Sequence, residues 1–322
     1  MEDTMTLHTN RALFEELITR TSEQMGISEV YIEKDYWVTM ILHSLSKLDD
    51  ALKKQVVFKG GTSLSKAHQI VERFSEDIDL AVIADDLGSH QTKKLLKQIE
   101  KALVGAPFVE LPEHPQMGKG SEIRKSVHQY PQFVEGDFGD AVDVIILELN
   151  TFAHPTPNRL KPIHSYIYEF LRKEGASEVI ARYALDPFEV FVLDIERTLC
   201  EKISAIARAS YEGDAELQRK IRHFYDIHLL LQKPQLQDFL QSSAFEEMMA
   251  IVKSDDTDNK QFNDDWSSKP LTEAPIYNDT SALIDRLEPY YYGDFKKMVY
   301  GELPNIEDVK QSILLVKGRL HE

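Results

Sequence analysis

A single cysteine, Cys200, in 322 residues excludes an internal disulfide and a cysteine-based zinc site. Its apolar helical neighbourhood reads as the setting of a small buried hydrophobe, not of a nucleophile. The eleven histidines lack metal-ligand spacing, and none is assigned as a ligand. No apolar run is long enough to cross a bilayer, and the opening Met-Glu-Asp-Thr-Met has neither the basic nor the apolar region of a signal peptide. The expectation is a cytoplasmic chain with no membrane contact. Positive charge is scarce as well: 37 Lys and Arg stand against 54 Asp and Glu, a formal net charge of −17. That excludes a broad nonspecific nucleic-acid surface, since phosphate neutralisation supplies most of that affinity. It leaves room for a local basic patch or a basic protein partner. No internal repeat is present. The remainder is ordinary for a globular protein, with 42% hydrophobic and 28% charged residues, and the length suits two domains.

The most informative stretch runs from Phe58 to Val82. Gln55-Val56-Val57-Phe58 is β-prone, and Gly60-Gly61 ends it where the backbone must turn and something must approach closely. Thr62 and Ser63 can cap a helix, and the spacing of Leu64, Ala67, Ile70, Val71 and Phe74 predicts that it continues through Phe74 with one apolar face. The N-terminus of such a helix offers amides and hydroxyls to a phosphate. Beyond it, Asp77 and Asp79 flank Ile78, so in an extended segment both acids project to one side while Ile78 and Leu80 face the core. Two carboxylates side by side repel one another, which makes most sense if divalent cations, Mg²⁺ above all, sit between them.

A glycine pair, a helix and then Asp-x-Asp on a strand resembles the nucleotidyltransferase superfamily of DNA polymerase-beta type. Within it, Lys59-Gly60-Gly61-Thr62-Ser63-Leu64-Ser65-Lys66 with Arg73-Phe74-Ser75-Glu76-Asp77-Ile78-Asp79-Leu80 is similar to the AbiEii/AbiGii toxin family. The interval from Ser63 to Asp77 is longer than the superfamily's shortest spacing, which leaves the helix length open. The resemblance implies an α/β (α+β) fold in which a mixed-sheet nucleotidyltransferase domain, residues 1–162, precedes a helical domain, residues 163–322, that completes the active-site cleft.

The strongest strand signal is Ala141 to Asn150, a nearly continuous β-branched run. It holds two acids, Asp143 and Glu148, which lie on opposite faces because their separation is odd. The resemblance of Ile-Leu-Glu-Leu-Asn to the family's strand favours Glu148 as the third carboxylate, with Asp143 a strand-start residue in water. Thr151 to Pro157 reads as a loop near that acid, where His154 is either a surface residue or part of the site's lining. Arg124 and Lys125, on a strand within Ser121 to Tyr130, could contact phosphates; solvated charges on an edge strand are the alternative.

Elsewhere the pattern is helical. Asn10 to Gln24 and Ser28 to Ser46 are two helices punctuated by Gly26, the second packing Ile32, Trp37 and Ile41 while Glu33, Lys34 and Asp35 stay solvated. Gln91 to Leu103 should cover one face of a sheet. His164 to Lys173 is a helix, residues 186–192 a connector, and Asp194 to Ile206 and Ala215 to Leu231 two further helices. Those two resemble the family's second block, which implies that Lys202 holds nucleotide phosphates and Asp226 fixes that lysine or a water. Without the resemblance, Lys202 reads as an exposed helix lysine beside Glu196 or Glu201, and Asp226 as a partner of Arg222. Phe239 to Val252 is helical, and Lys253 to Pro270, with five aspartates and no apolar period, reads as an acidic loop. The tail from Ala282 to Leu320 is helical, with tyrosines that either stack on bases or fill a core.

Taken residue by residue, the resemblance implies metal ligands Asp77, Asp79 and Glu148, catalytic roles for these with Lys202 and Asp226, and nucleotide contacts from Lys59, Gly60, Gly61, Thr62, Ser63 and Lys66. The implied cofactor is Mg²⁺, two ions, with an NTP as substrate. Family members act as toxins of toxin–antitoxin or phage-defence systems and some add nucleotides to transfer RNA, so an RNA acceptor and a cognate antitoxin are expected here. A transferase acting on a small molecule or protein hydroxyl, and a non-catalytic protein that keeps the fold, are the rival readings.

Overall fold

The computed structural model describes residues 4–75, 77–85, 87–138, 142–258, 266 and 269–320. Glu76 of the carboxylate motif, Ala141 at the start of the expected strand, and 259–265 with 267–268 of the acidic stretch lie outside them. The chain divides into two units. The first comprises Met1–His68, Phe74–Thr151 and Asn158–Val192; the second comprises Gln69–Arg73, Phe152–Pro157 and Leu193–Glu322.

The first unit holds the sheet, whose strands are β1 (Val56–Lys59), β2 (Asp77–Val82), β3 (Val109–Glu110), β4 (Gly118–Lys119), β5 (Ile123–Gln129), β6 (Ile145–Asn150), β7 (Asn158–Ile163) and β8 (Phe188–Leu193). They lie in the order β3-β5-β6-β2-β1-β8-β7, with β4 paired to β5. β2 runs antiparallel to β1 and parallel to β6, so the motif strand is central. The sheet is therefore mixed, as expected. It also extends past the boundary placed at residue 162. The stretch read as a connector is β8, which pairs parallel to β1 at Phe58 and Val192, and β7 lies beside it. Too short to show a period, these two strands owe their structure to sheet partners far away in sequence.

The helices of this unit are α1 (Arg11–Met25), α2 (Glu29–Ser46), α3 (Asp50–Lys53), α4 (Gly60–Lys66), α5 (Ser89–Leu103), α6 (Tyr166–Lys173) and α7 (Ser177–Arg182). Asn10 caps α1 by accepting from the Leu13 amide at 3.4 Å, and Gly26, at φ 69°, closes it in the left-handed region. α2 departs from expectation, because Glu33, Lys34 and Asp35 are buried, not solvated. Each has found a partner. Glu33 accepts the amides of Phe133 at 2.8 Å and Val134 at 3.2 Å; Lys34 donates to the Val142 carbonyl at 2.5 Å; Asp35 accepts the Tyr166 amide at 2.9 Å and pairs with the Lys66 ammonium. A buried charge persists only when so satisfied, and none of these partners is visible from the helix's own periodicity.

α4 stops at Lys66 instead of running through Phe74. Ala67 and His68 both donate to the Ser63 carbonyl, and Gln69 sits at φ 52°. Residues 69–73 are taken up by the second unit, where Arg73 bridges Val299 and the Glu72 carbonyl accepts the amides of Tyr300 and Gly301 at 3.0 and 3.2 Å. The apolar residues at Ile70 and Val71 therefore serve another core, and their helical spacing is incidental.

The second unit is helical: α8 (Ile195–Glu212), α9 (Asp214–Arg219), α10 (Ile221–Leu231), α11 (Pro234–Leu240), α12 (Ser243–Asp258), α13 (Pro275–Asn278), α14 (Thr280–Tyr290), α15 (Lys296–Met298) and α16 (Ile306–Lys317). The acidic stretch begins as helix. Asp255 pairs with buried Arg197, and Asp256 accepts from Ser204 at 2.6 Å and pairs with Arg208 at 2.9 Å, so these aspartates are counter-charges and not loop. Of the tail aromatics, Tyr291 and Phe295 are core while Tyr290 and Tyr292 are exposed. Cys200 is buried, as expected of a small hydrophobe.

The Asp35–Lys66 pair gives a stability test. Asp35→Ala leaves the Lys66 ammonium buried without its counter-charge and should lower urea-unfolding stability by about 3–5 kcal/mol. Asp35→Leu combined with Lys66→Met should recover most of that loss.

Candidate active site

The geometry of the site follows from strand register. In the parallel pairing of β2 with β6, Asp77 lies opposite Ile146 and Asp79 opposite Glu148. Residues level with one another on neighbouring strands share a face, so Asp77, Asp79 and Glu148 project from the same side of the sheet. Asp143, exposed and ahead of the strand, is not among them. The pattern of exposure agrees. β6 is buried at every position except Glu148, and along β2 only Asp77 and Asp79 are half-buried among otherwise buried residues.

The same row extends one strand further on each side. Lys59 of β1 lies opposite Asp79, and Lys125 of β5 lies opposite Glu148, giving Lys59-Asp79-Glu148-Lys125 across four neighbouring strands. The Lys125 ammonium is 3.6 Å from the Glu148 carboxylate, with both side chains more than a quarter exposed. Reading Lys125 as a solvated edge charge missed this, because β5 is flanked by β6 on one side and by β3 and β4 on the other. Its neighbour Arg124 points the other way, buried with Glu100 of α5 at 2.5 Å. No pattern within β5 says which of two adjacent basic residues meets an acid on β6.

Gly60 completes the floor. Its φ of 78° is left-handed, and a Cβ there would run into the Asp79 carboxylate, so two independent constraints require glycine. The turn therefore brings main chain directly against the motif's second acid. α4 is tied to β2 by the Thr62 hydroxyl, which donates to the Asp77 carbonyl at 2.5 Å. The Ser63 hydroxyl is buried and donates to the Gly60 carbonyl at 2.9 Å, and Lys66 is held by Asp35. Of the residues expected to contact the nucleotide, Lys59, Gly60 and Gly61 thus lie at the half-buried turn, while Thr62, Ser63 and Lys66 are engaged within the protein.

Electrostatics follow the crowding. Burial, then Glu148 and Asp77, push the Asp79 carboxyl up to about 7, with Lys59 and Lys125 opposing the rise. Val127 and Ile146, packed with Val144, lie beside the acids on this face and add to their desolvation. Three hard oxygen donors crowded together suit a divalent cation such as Mg²⁺. Among the described residues, no three such side chains stand close enough to form a finished cage. Mg²⁺ does not demand one, since it is ordinarily held by one or two carboxylates together with substrate phosphates.

Lys202 and Asp226 lie in the second unit and are paired at 2.7 Å. Neither is an exposed helix charge, for both are buried. Asp226 also receives Arg73 in a two-pronged contact at 2.7 and 2.6 Å, a partner from far away in the sequence. Burial would raise the Asp226 carboxyl, yet Arg73 and Lys202 outweigh it and hold it below the usual range. Arg73 opens the stretch that leads into the Asp-x-Asp strand, and nothing local to it points to a carboxylate on α10. A basic residue amid apolar spacing was the available signal. His154 is exposed.

The raised Asp79 carboxyl gives a pH test on the metal-free protein. In the unfolded chain it titrates near 4, so between about pH 4 and 7 the folded chain holds a proton that the unfolded chain lacks. Stability contributed by the protonated form is therefore complete below pH 4 and is lost as pH rises through 7. Melting temperature relative to Asp79→Asn should fall across that window in EDTA, and an unchanged difference would remove the crowding. Gly60→Ala should destabilise the protein by more than about 1 kcal/mol, the order of the left-handed backbone cost alone, when read in the same melts.

A family model described as the nucleotidyl transferase AbiEii toxin of type IV toxin–antitoxin systems matches residues 44–312. No curated protein matches the chain. Among solved structures, MenT4, a nucleotidyltransferase toxin from Mycobacterium tuberculosis H37Rv, is similar over 94% of this chain and 98% of its own at 14% identity, with a TM-score of 0.47. JHP933 from Helicobacter pylori is similar over 83% of this chain and 97% of its own at 13% identity, with a TM-score of 0.33. Those two likenesses are too distant to carry an argument; the family match, which takes in β1 to β8 and nearly all of the helical unit, does carry one, and the chain belongs to the AbiEii family of nucleotidyl transferase toxins.

Proposed function

We propose that this chain transfers a nucleoside monophosphate from an NTP to a hydroxyl of an RNA acceptor, transfer RNA being the class in view, with release of pyrophosphate. The supporting observation is the register that sets Glu148 beside Asp79 and on the same face as Asp77. Asp77, Asp79 and Glu148 would hold Mg²⁺. Bound there, the metal would neutralise phosphate charge and acidify the attacking hydroxyl. The remaining work falls to the chain. The amides at Gly60 and Gly61 orient phosphate oxygens where no side chain intrudes, and Lys59 adds charge at the same turn. A carboxylate of the Asp79–Glu148 pair takes the proton from the acceptor hydroxyl. Lys202, oriented by Asp226, is the family-implied phosphate contact of the second unit. As the chain belongs to a toxin family, an antitoxin is its expected partner, in defence against phage or in growth control.

The test is incubation with each labelled NTP, Mg²⁺ and either total RNA or total protein. Label in RNA is expected; label only in protein or in a small molecule would replace the acceptor. Asp77→Asn and Glu148→Gln should each reduce transfer at least 100-fold, the order expected for loss of a charge-stabilising group. Asp143→Asn should leave it unchanged. Full transfer by Glu148→Gln would reassign the third acid.

A further inference from the structure

One cation of the carboxylate row is held only loosely. Lys125 of β5 closes the row Lys59-Asp79-Glu148-Lys125, and the other charges of β3, β4 and β5 lie on the opposite face of the sheet. Arg124 there pairs with Glu100, and Lys119, level with Arg124, pairs with Glu110. On its own face Lys125 is flanked along the strand by Ile123 and Val127 and lies level with Gly118 of β4, so Glu148 is the acid beside it. At 3.6 Å that contact is an ion pair without a hydrogen bond, and the lysine side chain is 29% exposed. Among the described residues the ammonium has no other partner. Such a pair holds weakly, and the three donors of the ammonium stay available.

In-line transfer gives the two ends of the row different tasks. The bond from the acceptor oxygen to phosphorus forms on the side opposite the bond to pyrophosphate that breaks. The turn at Gly60 and Gly61 follows Lys59, so pyrophosphate leaves at the β1 end and the acceptor hydroxyl arrives at the other, beside Glu148 and Lys125. Strands stand about 4.8 Å apart, which puts the β5 end of the row about 14 Å from the β1 end. We infer that Lys125 is an acceptor-binding residue, whose ammonium leaves Glu148 to contact the phosphate next to the acceptor hydroxyl. The acceptor is then a nucleic acid strand, because a protein or small-molecule hydroxyl has no phosphate at that place. Release of Lys125 also frees the Glu148 carboxylate to take the hydroxyl proton. The way in is open: β4 is exposed, and Gly118, level with Lys125, carries no side chain. A Cβ there would come no nearer than 4.0 Å to the lysine Cβ. A lysine ammonium is a compact point charge, suited to a phosphate contact that sets register and reads no base. The direction of approach rests on the transferase reading; contact between Lys125 and an RNA phosphate is measured without it.

The experiment measures binding of unfractionated transfer RNA to the full chain in EDTA, without NTP, as a function of salt concentration. Loss of one phosphate contact lowers the slope of log affinity against log salt by about one. Lys125→Met should show that change and weaken binding by about fivefold at low salt, while Lys125→Arg keeps both values near the parent's. Gly118→Val adds bulk and removes no charge, so it should weaken binding with the slope unchanged. In steady-state transfer, Lys125→Met should raise the KM for RNA by about fivefold and leave the KM for the NTP within about twofold of the parent's. A Lys125→Met slope equal to the parent's, no RNA binding by the parent, or a rise in the KM for the NTP in place of that for RNA would each overturn the inference. Nucleotide transfer to RNA by a Lys125→Met chain that binds RNA as the parent does would sink the inference and leave the transferase reading standing. A slope lowered by about one in a protein whose parent transfers no nucleotide would do the opposite.

Discussion

Two like charges held level on parallel strands are the constraint from which the rest of the first unit follows. Asp79 and Glu148 are neighbours in register, Asp77 is two residues along the same face, and none can turn away without leaving its strand. Repulsion of this kind is tolerated only where something offsets it. In the protein alone the offsets are Lys59 and Lys125 at the ends of the row and partial protonation of Asp79. A divalent cation would do the same more strongly, so that metal-site chemistry and metal-free stability oppose one another at these residues.

Around that row the structure is over-determined. Gly60 must be left-handed and must leave room for the Asp79 carboxylate. Thr62 joins α4 to the first residue of β2, and Lys66 at the other end of the helix is pinned by Asp35, which also accepts the Tyr166 amide. A seven-residue helix is too short to persist by itself; three anchors hold it where its first turn meets the acids. Hydroxyls and an ammonium that resemblance assigns to the nucleotide are spent within the protein, so main-chain groups at Gly60 and Gly61 carry more of the proposed phosphate contact.

The second unit solves a different electrostatic problem. Asp226 is a single buried carboxylate serving two cations, Arg73 and Lys202, which together hold its carboxyl below the usual range against the cost of burial.

The sequence by itself determined the elements whose signals are local. The helices from Arg11 to Ser46, the α5 helix, the strands carrying Asp77, Asp79 and Glu148, and the need for glycine at position 60 all follow from periodicity, capping or the two-residue repeat of a strand. The face shared by Asp77 and Asp79 was legible for the same reason. Tertiary structure decided what depends on distant partners. The pairing of Glu148 with Asp79, the turning of Lys125 toward that row and of Arg124 away from it, the burial of Glu33, Lys34 and Asp35, and the capture of Asp226 by Arg73 all join residues far apart in the chain. So does the end of α4 at Lys66, where residues with good helical spacing are drawn into another core. A charged residue carries the same letter whether it meets water or a counter-charge, and only the fold brings the counter-charge to it.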